Sequence, residues 1–163
     1  MANPRMAAAL AAGVMSLPTA ACAGQQMVAV AGQGAGPVRI VWSGTAETGE
    51  TARYLAGWLR ARGWKCTVAL GKPYLPTCHG AQWIVGTQGS LKALKAPGKP
   101  VSFQPSSRDE AYVLDVRREK NGPVVVLAGK TPSGVRAAAA RVIGKSANTV
   151  RSLLIPAGRE ETD

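Results

Sequence analysis

The chain has 163 residues and a formal net charge of +11 at pH 7, and 46% of its residues are hydrophobic against 18% charged. This length is typical of a single domain, and the composition excludes an intrinsically disordered chain. No apolar stretch reaches the length of a membrane-spanning helix. The positive charge favours contact with a polyanion, but the basic residues are dispersed, and a solvated basic surface accounts for them equally well.

The first 23 residues have the pattern of a secretory signal peptide. A weakly basic start precedes an apolar run at residues 6–17, and the small residues 21–23 fit a cleavage site. A frayed alanine-rich helix is the alternative. Cys22 lies in a partial lipobox, so lipid anchoring is the alternative to release. We therefore expect a secreted or periplasmic protein that contacts a membrane only if Cys22 is lipidated.

The glycine-rich residues 24–37 predict a flexible lead-in, and a charged tail is predicted at residues 159–163. Between them, β-branched clusters predict strands, and apolar residues at intervals of three and four predict helices. In chain order we expect a strand at 38–42, a helix at 45–62, strands at 64–70 and 82–87, a helical turn at 90–94, a polar loop at 95–109, strands at 112–118 and 123–129, a helix at 131–144 and an edge strand at 151–155. The apolar stripe of the first helix consists of Ala52, Leu55, Ala56 and Leu59.

The last third of the chain gives the clearest pattern. Asn121 and Gly122 separate two strand patterns and are typical of a hairpin turn, because both accept positive φ. Thr131 and Pro132 suit the N-cap and the first position of a helix. We predict an α/β fold, a two-layer sandwich in which a mixed, mostly antiparallel sheet of about five strands carries two main helices on one face. Nothing in the predicted elements covers the other face.

The residues that could bind a metal or a cofactor are few. Cys66 and Cys78 remain after removal of the signal peptide, and an exported chain could join them in a disulfide or keep two free thiols. His79 beside Cys78 makes no recognised metal-ligand spacing. Residues 129–131 resemble the end of a phosphate-binding loop, but Val124 stands where that loop needs glycine. We therefore predict no metal site and no cofactor.

No residue is predicted to be catalytic. The acidic neighbours at residues 109–110 and 160–161 are not held on a rigid scaffold across a cleft, and His79 lies in a proline-rich loop. Among the tryptophans, Trp64 directly follows a helix end and is the one expected at the surface. With Arg117 it forms a candidate ligand or partner surface.

Several local sequences together resemble a known family. They are Thr-Ala-Arg-Tyr-Leu at 51–55, Ile-Val-Gly-Thr at 84–87, Tyr-Val-Leu-Asp-Val at 112–116, Val-Val-Val-Leu-Ala-Gly at 124–129 and Thr-Pro-Ser-Gly-Val at 131–135. In this order and spacing they resemble the N-terminal domain of the alpha-glucuronidases and the related N-terminal domain of bacterial beta-N-acetylhexosaminidases. The resemblance covers residues 38–158.

The resemblance implies an accessory module of glycoside hydrolases, in which helices pack on a mostly antiparallel sheet. The catalytic carboxylates of that family lie in a following barrel, which has no counterpart in these 163 residues. We therefore expect a secreted, non-catalytic domain that binds carbohydrate or docks to a catalytic glycosidase domain in polysaccharide degradation. The alternative is a basic exported module that binds acidic polysaccharide or nucleic acid. An enzyme in its own right, which would be a glycoside hydrolase, is the least favoured interpretation.

Overall fold

A computed structural model describes residues 26–163, so the signal-peptide pattern and Cys22 lie outside the described residues. In chain order the elements are β1 Met27–Gly32, β2 Val38–Ser43, α1 Ala46–Ala61, β3 Cys66–Leu70, β4 Ala81–Thr87, α2 Gln88–Leu94, β5 Tyr112–Glu119, β6 Gly122–Gly129, α3 Pro132–Lys145, β7 Ala147–Asn148, β8 Ser152–Pro156 and β9 Gly158–Glu161. None of the helices in this part of the chain has the length and apolar character needed to cross a bilayer.

The predicted fold class is confirmed: the chain is a mixed α/β structure built on two sheets. The large sheet has the strand order β3-β2-β4-β6-β5-β9, and the small one has the order β1-β8-β7. Strands β2, β3, β4 and β6 pair in parallel, because α1 and α2 carry the chain back across the sheet. The remaining four of the seven strand pairs are antiparallel, including the β5–β6 hairpin that turns at Asn121 and Gly122.

The first face of the large sheet is covered by α1, α3 and the small sheet. The predicted apolar stripe of α1 is fully buried there, as are the α3 residues Val135, Ala138 and Val142. Trp83 on β4 lies at the centre of this core, and its Nε1 donates a hydrogen bond of 3.2 Å to the carbonyl oxygen of Val30. The indole therefore links the large sheet to the small one.

Residues 27–32 are not the flexible lead-in that the sequence predicts. They form β1, which pairs antiparallel with β8 and buries Val28, Val30 and Ala31. The glycines at 32, 34 and 36 have positive φ and make the turn after this strand, so the glycine signal is real but begins later than expected. Before this turn, Val28 and Val30 alternate with small residues, which is the pattern of a strand.

The predicted tail at residues 159–163 is also structured. β9 pairs with β5 from Val113 to Val116. The Tyr112 hydroxyl donates a 2.6 Å hydrogen bond to Glu160, which also accepts one from Arg141 on α3 at 2.8 Å. The pairing extends the large sheet to six strands, one more than the sequence predicts.

The second face of the large sheet is not uncovered, and that expectation was wrong. Helix α2 and the loop at residues 95–111 pack over it, and together they bury a second core that includes Ile84 and Val126. Gln88 fixes the loop by accepting a 2.8 Å hydrogen bond from the amide of Phe103. The Gln88 side chain thus attaches the loop at residues 95–111 to this face of the sheet.

Candidate functional site

Trp64, predicted at the surface, is half-buried against the first core. A Cβ placed on Gly32 would lie 2.8 Å from its Cζ3 atom, so the ring packs directly on the backbone at the end of β1. Its Nε1 is buried and finds no hydrogen-bond partner among the described residues. The ring therefore offers less free face for stacking than its position in the sequence suggests.

Arg117 lies on the second face, where its guanidinium is engaged within the protein. Nη2 donates 2.7 Å hydrogen bonds to Asp115 and to the carbonyl oxygen of Pro97, and Nη1 lies 3.6 Å from Glu119. Gly98 has a φ of +92° and leaves the space that the guanidinium fills. Arg117 and Trp64 contact different elements, so the structure does not combine them into one surface.

Cys66 and Cys78 are free thiols, so of the two alternatives the structure contains the unpaired one. Burial raises the pKa of Cys66 to about 11, against a smaller opposing effect of Arg60, so this thiol stays protonated and unreactive at neutral pH. His79 beside Cys78 is exposed. Within residues 26–163 no three His, Cys, Asp or Glu side chains lie where they could hold a metal ion.

The best-connected carboxylate, Glu160, is fixed by its neighbours. Hydrogen bonds from Arg141 and Tyr112 lower its pKa to about 2, and Lys145 adds a third contact at 3.0 Å. Burial and the Glu160 carboxylate together raise the pKa of Tyr112 to about 12. Near neutral pH neither group exchanges a proton readily, and their geometry fits a structural link between β9, β5 and α3.

A shallow groove of about 580 Å³ runs between α1 and α3 on the outer side of the first face. Its floor is apolar and is made by Ala139, Ala140 and Ile143. Tyr54 stands beside this floor with 65% of its surface exposed. The groove is the most apolar concave surface among those described here.

The rim of this groove is charged. Glu47 and Glu50 line it from α1, and Arg136 lines it from α3. Glu47 and Arg136 lie 3.7 Å apart, but more than 60% of each side chain is exposed. An exposed ion pair of this kind is weak, so both groups can turn to a ligand.

Sequence reasoning missed this groove, although two signals were present. Tyr54 is a large aromatic residue that lies next to Leu55 but outside the buried stripe of α1. Ala140 belongs to the alanine run of α3 yet is exposed. Apolar residues outside a buried stripe indicate a possible interaction surface. The groove itself could be recognised only once the two helices were known to lie side by side.

The described residues define a mixed α/β domain with a helix-lined groove. It is weakly similar to part of the chitobiase from Flavobacterium johnsoniae, solved by X-ray crystallography, with a TM-score of 0.44 and 14% identity over 84% of this chain. The chain spans 19% of the length of that glycoside hydrolase chain. No protein-family model and no curated protein matches the sequence.

Proposed function

We propose that the protein is a secreted, non-catalytic accessory module for carbohydrate processing, and that it binds a saccharide in the groove between α1 and α3. The observation that carries this proposal is the exposed Tyr54 ring beside an apolar floor with a carboxylate rim. The signal-peptide pattern of residues 1–23 supports export.

The groove offers the two kinds of contact that a sugar ring requires. The C–H face of a sugar can pack on the Tyr54 ring and on the floor at Ile143. Its hydroxyl groups can donate hydrogen bonds to Glu47 and Glu50, and Arg136 can donate to a ring or hydroxyl oxygen. A mostly apolar site with a few polar groups at its edge is typical of small-molecule sites.

The position of Tyr54 in the sequence adds support. It belongs to residues 51–55, one of the segments that carry the resemblance to glycoside hydrolase accessory domains. Tyr54 lies on α1 at the groove between α1 and α3. The first turn of α3 lies in another segment that carries the resemblance, residues 131–135. Thr51 and Tyr54 are the groove residues that lie in a matched segment, whereas the α3 residues of the groove follow the match at 131–135.

Isothermal titration of the protein with β-linked N-acetylglucosamine oligomers and glucuronic acid-bearing xylo-oligosaccharides tests the proposal. We expect Tyr54→Ala to weaken binding about tenfold, because the stacking face is lost. Leu70→Ala is a matched control, since Leu70 has 63% of its surface exposed and lies outside the groove. Both variants should unfold at the wild-type temperature.

Absence of binding to every saccharide, or equal affinity of the Tyr54→Ala variant and the wild type, would contradict the proposal. So would co-elution with a glycosidase catalytic domain, in the absence of saccharide, that Tyr54→Ala abolishes. That result would make the groove a protein-docking surface.

A further inference from the structure

A second cavity of about 420 Å³ lies on the opposite face of the large sheet, between α2 and the loop that follows it. Leu91, Val101 and Val126 contribute apolar surface to it. Its basic lining residues are Lys92, Lys95, Lys99 and Arg159, and Asp115 is the acidic one. This cavity shares no lining residue with the groove of the first face.

The charge of the cavity is positive because its one carboxylate is already neutralised. Asp115 lies 2.7 Å from Arg117 and 3.7 Å from Arg159. The ammonium groups of the three lysines make no hydrogen bond or ion pair with any residue that the structure describes. Lys99 acts on the Glu161 carboxylate and helps to lower its pKa, but basic residues still outnumber acidic ones in the cavity lining, which favours an anionic ligand.

The loop that carries Lys99 is fixed by side chains from β5 and β9, whereas Lys92 and Lys95 belong to α2 and its C-cap. Arg159 donates hydrogen bonds to the carbonyl oxygens of Lys99 and Pro100 at 2.8 and 3.2 Å. Arg117 donates to Pro97 at 2.7 Å. The cavity wall is therefore preorganised, which lowers the entropy cost of binding.

Two further features point into the same cavity. Gln88 uses its Oε1 to hold Phe103, which leaves its Nε2 group as a donor for a ligand. Lys95 ends α2 with a φ of 52°, a left-handed conformation that glycine adopts with less strain.

We propose that this cavity binds an acidic saccharide, a sugar unit that bears sulfate or carboxylate groups. The lysines would contact the anionic groups, and the apolar floor would contact the C–H face of the ring. No aromatic side chain is among the lining residues described, so a nucleobase would find no stacking partner there. The proposal is independent of saccharide binding in the groove.

The test is titration of the full protein with a heparin-derived hexasaccharide, which carries sulfates, and with an oligogalacturonate, which carries carboxylates. A neutral oligosaccharide and single-stranded DNA complete the set of probes. We expect at least one acidic saccharide to bind with an affinity that falls as salt is added. The triple substitution Lys92→Gln, Lys95→Gln and Lys99→Gln should weaken that binding by at least about tenfold, because charged hydrogen bonds are lost.

The control is a triple substitution with the same change in net charge, Arg53→Gln, Lys65→Gln and Arg108→Gln, at exposed positions outside the cavity. It should keep the affinity within about twofold of the wild type. Methyl resonances of Leu91, Val101 and Val126 should shift on binding. Tyr54→Ala should bind the acidic saccharide as the wild type does.

Four results would overturn the proposal. They are no binding of either acidic saccharide, equal losses in the two triple variants, loss of binding in the Tyr54→Ala variant, and tighter binding of DNA that the cavity substitutions abolish. The last result would reassign the cavity to nucleic acid. Failure of the groove proposal would show instead in the binding of the neutral N-acetylglucosamine oligomers and would leave these outcomes unchanged.

Discussion

The two faces of the large sheet are covered in different ways. On the first face, α1 and α3 bury apolar stripes, and the small sheet adds Val28, Leu153 and Ile155 to the same core. On the second face, the seven-residue helix α2 and the irregular chain at residues 95–111 cover a smaller core. Helices and strands that bury apolar surface therefore cover the first face. On the second face, hydrogen bonds from polar side chains of neighbouring strands also fix the covering loop.

This difference bears on where ligands can bind. The outer surface of the first face is a helix groove with an apolar floor, whereas the second face encloses a cavity with a basic edge. Because irregular chain with few buried contacts opens more readily than packed helices, we expect the second face to have the lower local stability. Three experiments test this difference between the two faces.

The largest effect should come from truncation of a buried leucine on each face. Leu55 on α1 and Leu94 on α2 are both fully buried. Leu55→Ala should lower the free energy of unfolding by about 3–5 kcal/mol, because packed helices leave a cavity that cannot collapse. Leu94→Ala should cost about 2–3 kcal/mol, because the loop can settle into the space. Urea unfolding measures both, and an equal cost would mean that the two faces are equally rigid.

An intermediate effect is expected from removal of an anchor of the loop. Arg159→Ala removes the hydrogen bonds to the carbonyl oxygens of Lys99 and Pro100, and it leaves Asp115 with one basic partner. The global cost should be about 1–2 kcal/mol. Amide hydrogen exchange in residues 95–103 should accelerate more than exchange in α1.

Arg53→Ala is the control for this experiment. Arg53 is exposed on α1, and its replacement should change stability by less than about 0.5 kcal/mol. If exchange accelerated uniformly over both faces in the Arg159→Ala variant, the loop would not unfold separately from the rest of the domain.

The smallest effect concerns the pH dependence of the first face. The folded protein lowers the pKa of Glu160 to about 2, below its ordinary value, so the carboxylate stabilises the fold above about pH 4.5. This contribution is lost as the pH falls toward 2. Glu160→Gln should lower stability by roughly 1 kcal/mol at pH 7, a value reduced by solvent screening because the side chain is 26% exposed.

Thermal unfolding from pH 7 to pH 2 tests this expectation. The difference in Tm between the wild type and Glu160→Gln should shrink as the solution becomes more acidic. In Arg141→Gln the loss should be smaller and should be complete at a higher pH, because the largest cause of the lowered pKa is gone. A Tm difference that stays constant over this range would mean that Glu160 acts through packing and not through its charge.

Periodicity was sufficient to predict the two helices of the first face and the β5–β6 hairpin. The stripe of α1, the β5–β6 hairpin and the Thr131 cap of α3 are all local patterns, and the structure contains each of them; the Thr131 Oγ1 accepts a 3.2 Å hydrogen bond from the amide of Ser133. Local backbone preferences decide these features, so one sequence suffices. In β5, Leu114 and Val116 contribute to the first core, and Asp115 between them is buried on the opposite side of the strand.

The remaining features depend on contacts between distant residues. β1 forms only because β8 pairs with it, and the loop at 95–111 becomes ordered only because Arg117 and Arg159 reach its carbonyl groups. Neither contact leaves a periodic signal in the sequence. The groove at Tyr54 needs two helices side by side, and the lysine-lined cavity needs a fixed loop, so neither candidate site could be derived from spacing alone.

The pairing of β1 with β8 has a consequence for biosynthesis. Met27 pairs with Pro156 and Gly32 pairs with Ser152, 120 positions later in the chain. During translation β1 must therefore wait on the order of ten seconds for its partner to be made. Until then the backbone groups of β1 lack their sheet partner, and we expect this segment to stay accessible on the nascent chain.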